Sequence, residues 1–274
     1  MLIRPLTTID ECRRVTALER AVWGNADAED RLPIPLLVVS ITRGGILLGA
    51  FDPAGEMLGF AYSMPGIKEG RTIQWSHVLA VAKAARNRGV GRALKLAQRE
   101  QALGMGIELI EWTFDPLQSL NAHFNFARLG VVVEEYQENI YGTSSSPLHR
   151  GTPTDRLIAE WRLPAPHVER RITGSGAGLI RDSGVASAVV VNPSRTAGDW
   201  LLPGDADLHH DARRVLVEIP AGFTGMVAAA PDLALEWRLA TRAIFQSYFR
   251  RGYRAVDFFF SSQAARGQYL LAKK

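Results

Sequence analysis

The segment that most constrains this chain is "HVLAVAKAARNRGVGRALKLAQREQALG", residues 77–104, where an apolar β-like run hands over to a helix across two glycines set one residue apart. "HVLAV" is apolar and β-branched. Past the loop, Val90, Ala93, Leu94 and Ala97 fall at i, i+3, i+4 and i+7, one face of a helix ending at "LGMG". A main chain that turns several N–H groups toward one point has no room for side chains there, and Gly89 and Gly91 clear it. The point lies at a helix N-terminus, where unpaired N–H groups and the helix dipole favour negative charge, and Arg86, Arg88 and Arg92 add formal positive charge. Two readings stay open, a phosphate cradle or a tight turn with no ligand. Dinucleotide and Walker-type loops do not fit: the residue three beyond Gly91 is Leu94, and no G-K-[ST] is present.

The elements around this loop describe a mixed α/β chain. "IRPLTTIDECRRVTALERAVWG" reads as a short strand, a cap at Thr7 to Asp10 and a helix with Cys12, Val15, Leu18 and Val22 on one face. "VVSITRG", "GILLGAFD" and "MLGFAYSMPG", punctuated by Gly-Gly and Asp-Pro-Ala-Gly, read as antiparallel strands, and "TIQWSHVLAV" as another. After the central helix come a strand, "IELIEWTF", and a short helix, "SLNAHFNFARLG", so the first half reads β-α-β-β-β-α-β-α with further strand from "VVVEEY" to "NIYG". The Ser, Pro and Gly content of "GTSSSPLHRGTPTDR" marks a boundary, giving domains at 1–145 and 146–274. The second has strands at "ASAVVVN" and "RVLVEIP", a helix from Leu233 to Arg250, and a strand, "YRAVDFFF", before a polar tail; "FQSYF" and "DFFF" read as core. Laying Gly106 on Gly252 pairs Ala93 with Leu239, Ile110 with Val256 and Trp112 with Phe258, so the second domain is either a degenerate copy of the first or an unrelated helix-turn-strand unit.

Composition excludes several classes. No run reaches the roughly 18 apolar residues of a membrane span, and the N-terminus carries acids where a signal peptide needs an apolar block, so a cytoplasmic location without membrane contact is expected. Cys12 is the only cysteine among 274 residues, which rules out an internal disulfide and a multi-cysteine metal site; it reads as packing. The net charge of +4 comes from scattered arginines, which suits an anionic ligand and not a nucleic acid. "HHD" at 209–211 reads as a polar loop, because three adjacent residues cannot converge on one ion; no metal is expected.

With "RNRGVG" after a strand, followed by an amphipathic helix, a buried strand and a short helix ending "ARLGV", the sequence resembles the GNAT superfamily of acyl-CoA-dependent N-acyltransferases over roughly residues 1–142. The resemblance implies a GNAT-like first domain that uses acetyl-CoA or another acyl-CoA as co-substrate and a small-molecule amine as acceptor, with the oligomeric state open. It places the pyrophosphate on Arg86, Arg88, Gly89, Val90, Gly91 and Arg92, and the pantetheine arm along Leu79, Ala80 and Val81. Asn121 resembles an asparagine that contacts the cofactor, two residues from the commonest spacing. The usual tyrosine acid is replaced by Phe126, which cannot donate a proton. Either Tyr141 or Tyr136 is its substitute, or the thiolate leaves unassisted, or the chain binds acyl-CoA without catalysis.

Acyl transfer to an amine needs a base near the thioester. His77, just before "VLAV", fits by position and by its ordinary pKa of about 6.5. Glu111 and Glu108 on the following strand are rivals. Arg128, Arg150 and Arg156 suit a substrate carboxylate, against which stands a surface ion pair of Arg156 with Asp155.

Overall fold

Thr8 stops the opening strand, β1 (Leu2–Pro5), and starts α1 (Ile9–Trp23): its Oγ1 accepts the Glu11 N–H at 3.3 Å, and Glu11 Oε2 accepts the Thr8 N–H at 3.0 Å. This computed structural model describes residues 1–24, 31–142, 152–174 and 188–274. The chain divides into two compact units, Met1–Trp112 and Thr113–Lys274.

In the first unit the expected strand at "VVSITRG" is instead part of a helix, α2 (Ile34–Thr42). Its β-branched residues suggest strand, but Leu37 is buried while Ile34, Val38 and Ile41 pack with α1's Cys12, Val15 and Leu18 in one cluster. Helical spacing of those contacts overrides local propensity. The remaining elements are β2 (Ile46–Phe51), β3 (Met57–Lys68), β4 (Arg71–Val81), α3 (Val90–Gly104) and β5 (Leu109–Phe114). Strand order is β1-β2-β3-β4-β5, antiparallel except for the β4–β5 pair. Tyr62, Val78 and Ala80 pack with α1 and α2 on one face, and Ser76 meets α3 on the other. Cys12 is a core residue at 0% exposure, as its apolar setting predicts.

The second unit begins with α4 (Ser119–His123), which runs into a π-helical turn, Phe124–Leu129. β6 (Val132–Gln137), β7 (Arg156–Arg162), α5 (Pro166–Thr173), β8 (Val189–Val190), β9 (Arg195–Ala197), β10 (Trp200–Leu202) and β11 (Arg214–Pro220) follow. Last come α6 (Phe223–Ala229), α7 (Pro231–Arg250), β12 (Tyr253–Ser261) and β13 (Arg266–Lys273). Its main sheet has the order β7-β6-β12-β13-β11-β8, and β9 pairs with β10. β6 and β7 pair antiparallel across the position 145/146. Residues 143–151, with Arg150 and most of the Ser/Pro-rich stretch, lie outside the described residues, as does the start of "ASAVVVN".

The expected polar tail is β13, an inner strand antiparallel to both β11 and β12. Tyr269, Leu270 and Leu271 are buried on it, and at Gly267 a Cβ would stand 2.2 Å from Phe258 Cζ, so glycine lets that ring lie flat across the strand. Both units thus combine helices with a mixed sheet, the α/β class the sequence predicts.

Candidate functional site

Two irregularities in β4 make an opening in the first unit. Against β3 the register slips between Tyr62↔Val78 and Ser63↔Ser76, so His77 is an extra residue in a β-bulge. Against β5, β4 makes only Gln74↔Ile110 and Trp75↔Glu111. Among the described residues, no strand pairs the β5 side of His77–Val81. The Ala82 N–H donates to the Leu58 carbonyl at 2.9 Å, which fixes the alternation: Ala80 and Val78 direct their main-chain groups at β3, and Leu79 and Val81 direct theirs at the open side. Of the three residues expected along a pantetheine arm, Leu79 therefore presents main-chain groups with no partner among the described residues, and Val81 its N–H, the Val81 carbonyl accepting from Arg86 Nε. Ala80 does not: its polar groups serve β3 and its side chain is buried.

The open edge leads into the glycine loop. A 3₁₀ turn, Lys83–Ala85, is followed by Asn87 at φ 61° and Gly89 at φ 79°, ψ 0°, the N-cap of α3. Among the described residues no side chain caps the helix, and its first i→i−4 bond runs from the Ala93 N–H to the Gly89 carbonyl at 3.0 Å. Among the described residues, no main-chain carbonyl takes the amides of residues 87–91. The two glycines have different reasons. Gly89 needs its left-handed backbone. Gly91 is not in that region, and a Cβ there would meet Val81 Cγ2 and Leu79 Cδ2 at ordinary distances of 3.7 and 3.8 Å. Among the described residues, nothing excludes a side chain at 91. Arg86, Arg88 and Lys83 are exposed around the loop, Arg92 is half-buried, and Arg86 Nε reaches the Val81 carbonyl at 3.4 Å.

His77 sits at the bulge with its ring edge-on to the buried Tyr62, centroids 6.2 Å apart at 87°. Desolvation pulls its pKa below the ordinary 6.5, so the imidazole is neutral at physiological pH. Glu111 is buried, and its carboxylate accepts from the Lys68 ammonium. Glu108 is exposed and precedes β5.

The other candidates lie in the second unit. Phe126 is 1% exposed, held edge-on by Phe114 and Tyr269 at 6.2 and 5.7 Å, so it is a core ring. Tyr136 donates to Asp155 Oδ2 at 2.6 Å, and burial with that carboxylate pushes its pKa far up, which removes it as an acid. Tyr141 is exposed, its hydroxyl 2.9 Å from Thr113 Oγ1 and its ring 5.4 Å from the Arg156 guanidinium. Asn121 and Arg128 are exposed on α4 and the π turn. The expected surface pair of Asp155 with Arg156 is replaced by a buried one: Asp155 is 0% exposed and takes Arg242 Nε and Nη2 at 2.9 Å each, a partner far off in sequence. Around "HHD", His210 Nδ1 accepts the Ala212 N–H and Asp211 pairs with Arg251. Among the described residues, no group of three His, Cys, Asp or Glu side chains is placed to hold a metal, and no helix is long and apolar enough to cross a membrane.

Sequence reasoning missed Lys83 beside the loop, Lys68 on Glu111, and Lys95, a fully buried lysine on α3. Lys95 had a signal, since it directly follows Leu94 on the helix's apolar side.

No family model and no curated protein matches the chain. Among solved structures it is similar to a GNAT-family acetyltransferase from Streptococcus pneumoniae, at 18% identity and TM-score 0.46 over 58% of this chain and 96% of that one. Ribosomal-protein-alanine N-acetyltransferase from Brucella melitensis matches at 19% and 0.46 over 58% and 98%. The protein yncA from Salmonella typhimurium, with its cofactor acetyl-CoA, matches at 16% and 0.48 over 60% and 94%.

Proposed function

We propose that the first unit binds the diphosphate and pantetheine of an acyl-CoA, and that the chain transfers its short acyl group, acetyl or succinyl, to the amine of a small molecule such as an amino acid. One observation carries this reading: Gly91 lacks a side chain that the fold would accommodate, at an uncapped helix N-terminus that an open strand edge leads into. A bare helix end ringed by arginines suits a diphosphate. Main-chain groups at Leu79 and Val81 suit the amides of a pantetheine arm, as an added strand would.

In the reaction the amine nitrogen attacks the thioester carbonyl, the C–S bond breaks, and the amine's proton passes to a base. His77 takes that role because it is neutral, accessible and placed where β4 opens. Glu111 is the weaker choice, since Lys68 already occupies its carboxylate. Tyr141, whose hydroxyl is exposed, is the remaining donor for the departing thiolate. A second reading, an acyl-CoA-binding module without turnover, is favoured by one observation: Phe126 is locked in a core and has no proton to give.

Calorimetry with CoA and acetyl-CoA tests binding, and thiol release from acetyl-CoA and succinyl-CoA against a panel of amines tests transfer. Heat without turnover selects the binding module, and no heat with either carrier overturns both readings.

A further inference from the structure

Lys95 is 2% exposed. Its Nζ donates to Ser76 Oγ and to Gln98 Oε1, each at 2.9 Å, and lies 3.7 Å from the centroid of a Trp112 ring. These partners share one place in the fold. Trp75↔Glu111 is the last rung between β4 and β5; Ser76 is the next residue of β4, and Trp112 the next of β5. The amine therefore sits on the α3 face of the sheet, against the side chain of the first residue of each strand beyond the last rung. On the opposite face of the same rung, Lys68 holds Glu111.

A lysine in such a place costs solvation, and desolvation lowers its pKa well below 10.5. Methionine has a similar reach and would cover Ser76 and Trp112 without that cost. Parallel strands that lie side by side tend to satisfy their main-chain groups by pairing, so an unpaired fork needs something to stop the next rung. We propose that Lys95 is a positioning residue, a wedge that ends β4–β5 pairing at Trp75↔Glu111 and so keeps the Leu79 and Val81 N–H groups open to a ligand. That the ligand is an acyl-CoA rests on the function proposed above; the wedge does not.

The test uses the full chain carrying Lys95→Met. Amide hydrogen exchange without ligand reads the fork directly: Leu79 and Val81 exchange freely in the parent and slow by roughly tenfold or more in the variant as the strands close. The variant melts at the same temperature or higher, and calorimetry finds CoA bound roughly tenfold more weakly. Unchanged exchange at both amides overturns the wedge. Slowed exchange in the variant, with no CoA heat in the parent, upholds the wedge and removes the acyl-CoA reading. If Lys95→Met does not fold, Ser76→Ala decides by the same measurement, because it removes the lysine's anchor on β4 together with the longer bond from the Ser76 hydroxyl to Gln98 Oε1; partial slowing at the two amides supports the wedge, and no change overturns it.

Discussion

The two units each contain a strand, a helix and a second strand running the same way as the first, and they use the space between the strands differently. In the first unit β4 and β5 touch over two rungs and part, with α3 alongside. In the second, β13 fills the space between β11 and β12 and pairs with both along its length. The helix stops are alike. Gly106 (φ 74°) donates to Leu103 and Gly252 (φ 82°) to Phe249, while Met105 and Arg251 cap the carbonyls of Ala102 and Tyr248. The helix starts are not. Counting back from those glycines, Gly91 falls opposite Trp237, a fully buried indole whose Nε1–H donates to the Leu201 carbonyl at 2.8 Å, and Lys95 falls opposite Thr241, whose hydroxyl turns back to the Trp237 carbonyl. Where the first unit's helix begins on cleared backbone, the second unit's longer helix, begun at Pro231, is already in its second turn and carries the largest side chain available. The same supersecondary frame serves as an opening when its gap is left unpaired and as core when a strand closes it.

The sharpest way to break this contrast is to empty the filled copy. Trp237→Ala removes a packed indole and costs about 3–5 kcal/mol of stability, read by denaturant unfolding. The heat of acyl-CoA binding in the protein that stays folded is unchanged; a lost signal would make the second unit part of the site. Next in size, His77→Ala lowers turnover roughly 10²-fold while CoA affinity holds. In the parent, kcat/KM carries an acid limb set lower in pH than a free imidazole would give, because burial lowers the histidine's pKa and the neutral form is the base. The variant loses that acid limb, and a limb that persists assigns the base elsewhere.

Smaller effects separate the two glycines of the cleared copy. Gly89→Ala forces a side chain into a left-handed backbone and destabilises by about 1 kcal/mol. Gly91→Ala removes only excess chain entropy and stabilises by about 0.5 kcal/mol. Thermal melts show the opposite signs, while calorimetry shows weaker CoA binding in both. A Gly91→Ala protein that binds CoA as well as the parent would leave that glycine without a reason and remove the observation on which the function rests.

The strand, loop and helix of the candidate site were legible because their signals are local. Glycines, arginines and a 3.6-residue period within residues 77–104 are enough to place a strand, a loop and a helix. Where distant residues decide, the reading failed. α2 looks like strand until α1 supplies a helical set of contacts. "RGQYLLAK" looks like a tail because its inner position depends on β11 and β12 and on Phe258 crossing Gly267. Asp155 has an arginine next to it, but the geometry of β7 turns it to Arg242. Phe126 was recognisable as a missing acid, whereas its enclosure by Phe114 and Tyr269 depends on residues far along the chain. The bulge at His77 left no trace in the alternation of "QWSHVLAV", because a bulge is a property of two strands and not of one.

The late position of β13 matters while the protein is being made. By residue 114 the ribosome has delivered all five strands of the first unit. β11 and β12, by contrast, each wait with a bare edge until residues 266–273 emerge. During that wait another nascent chain on the same message, carrying the same segment, offers a matching strand, so the second unit is where crowded synthesis would first produce entangled chains.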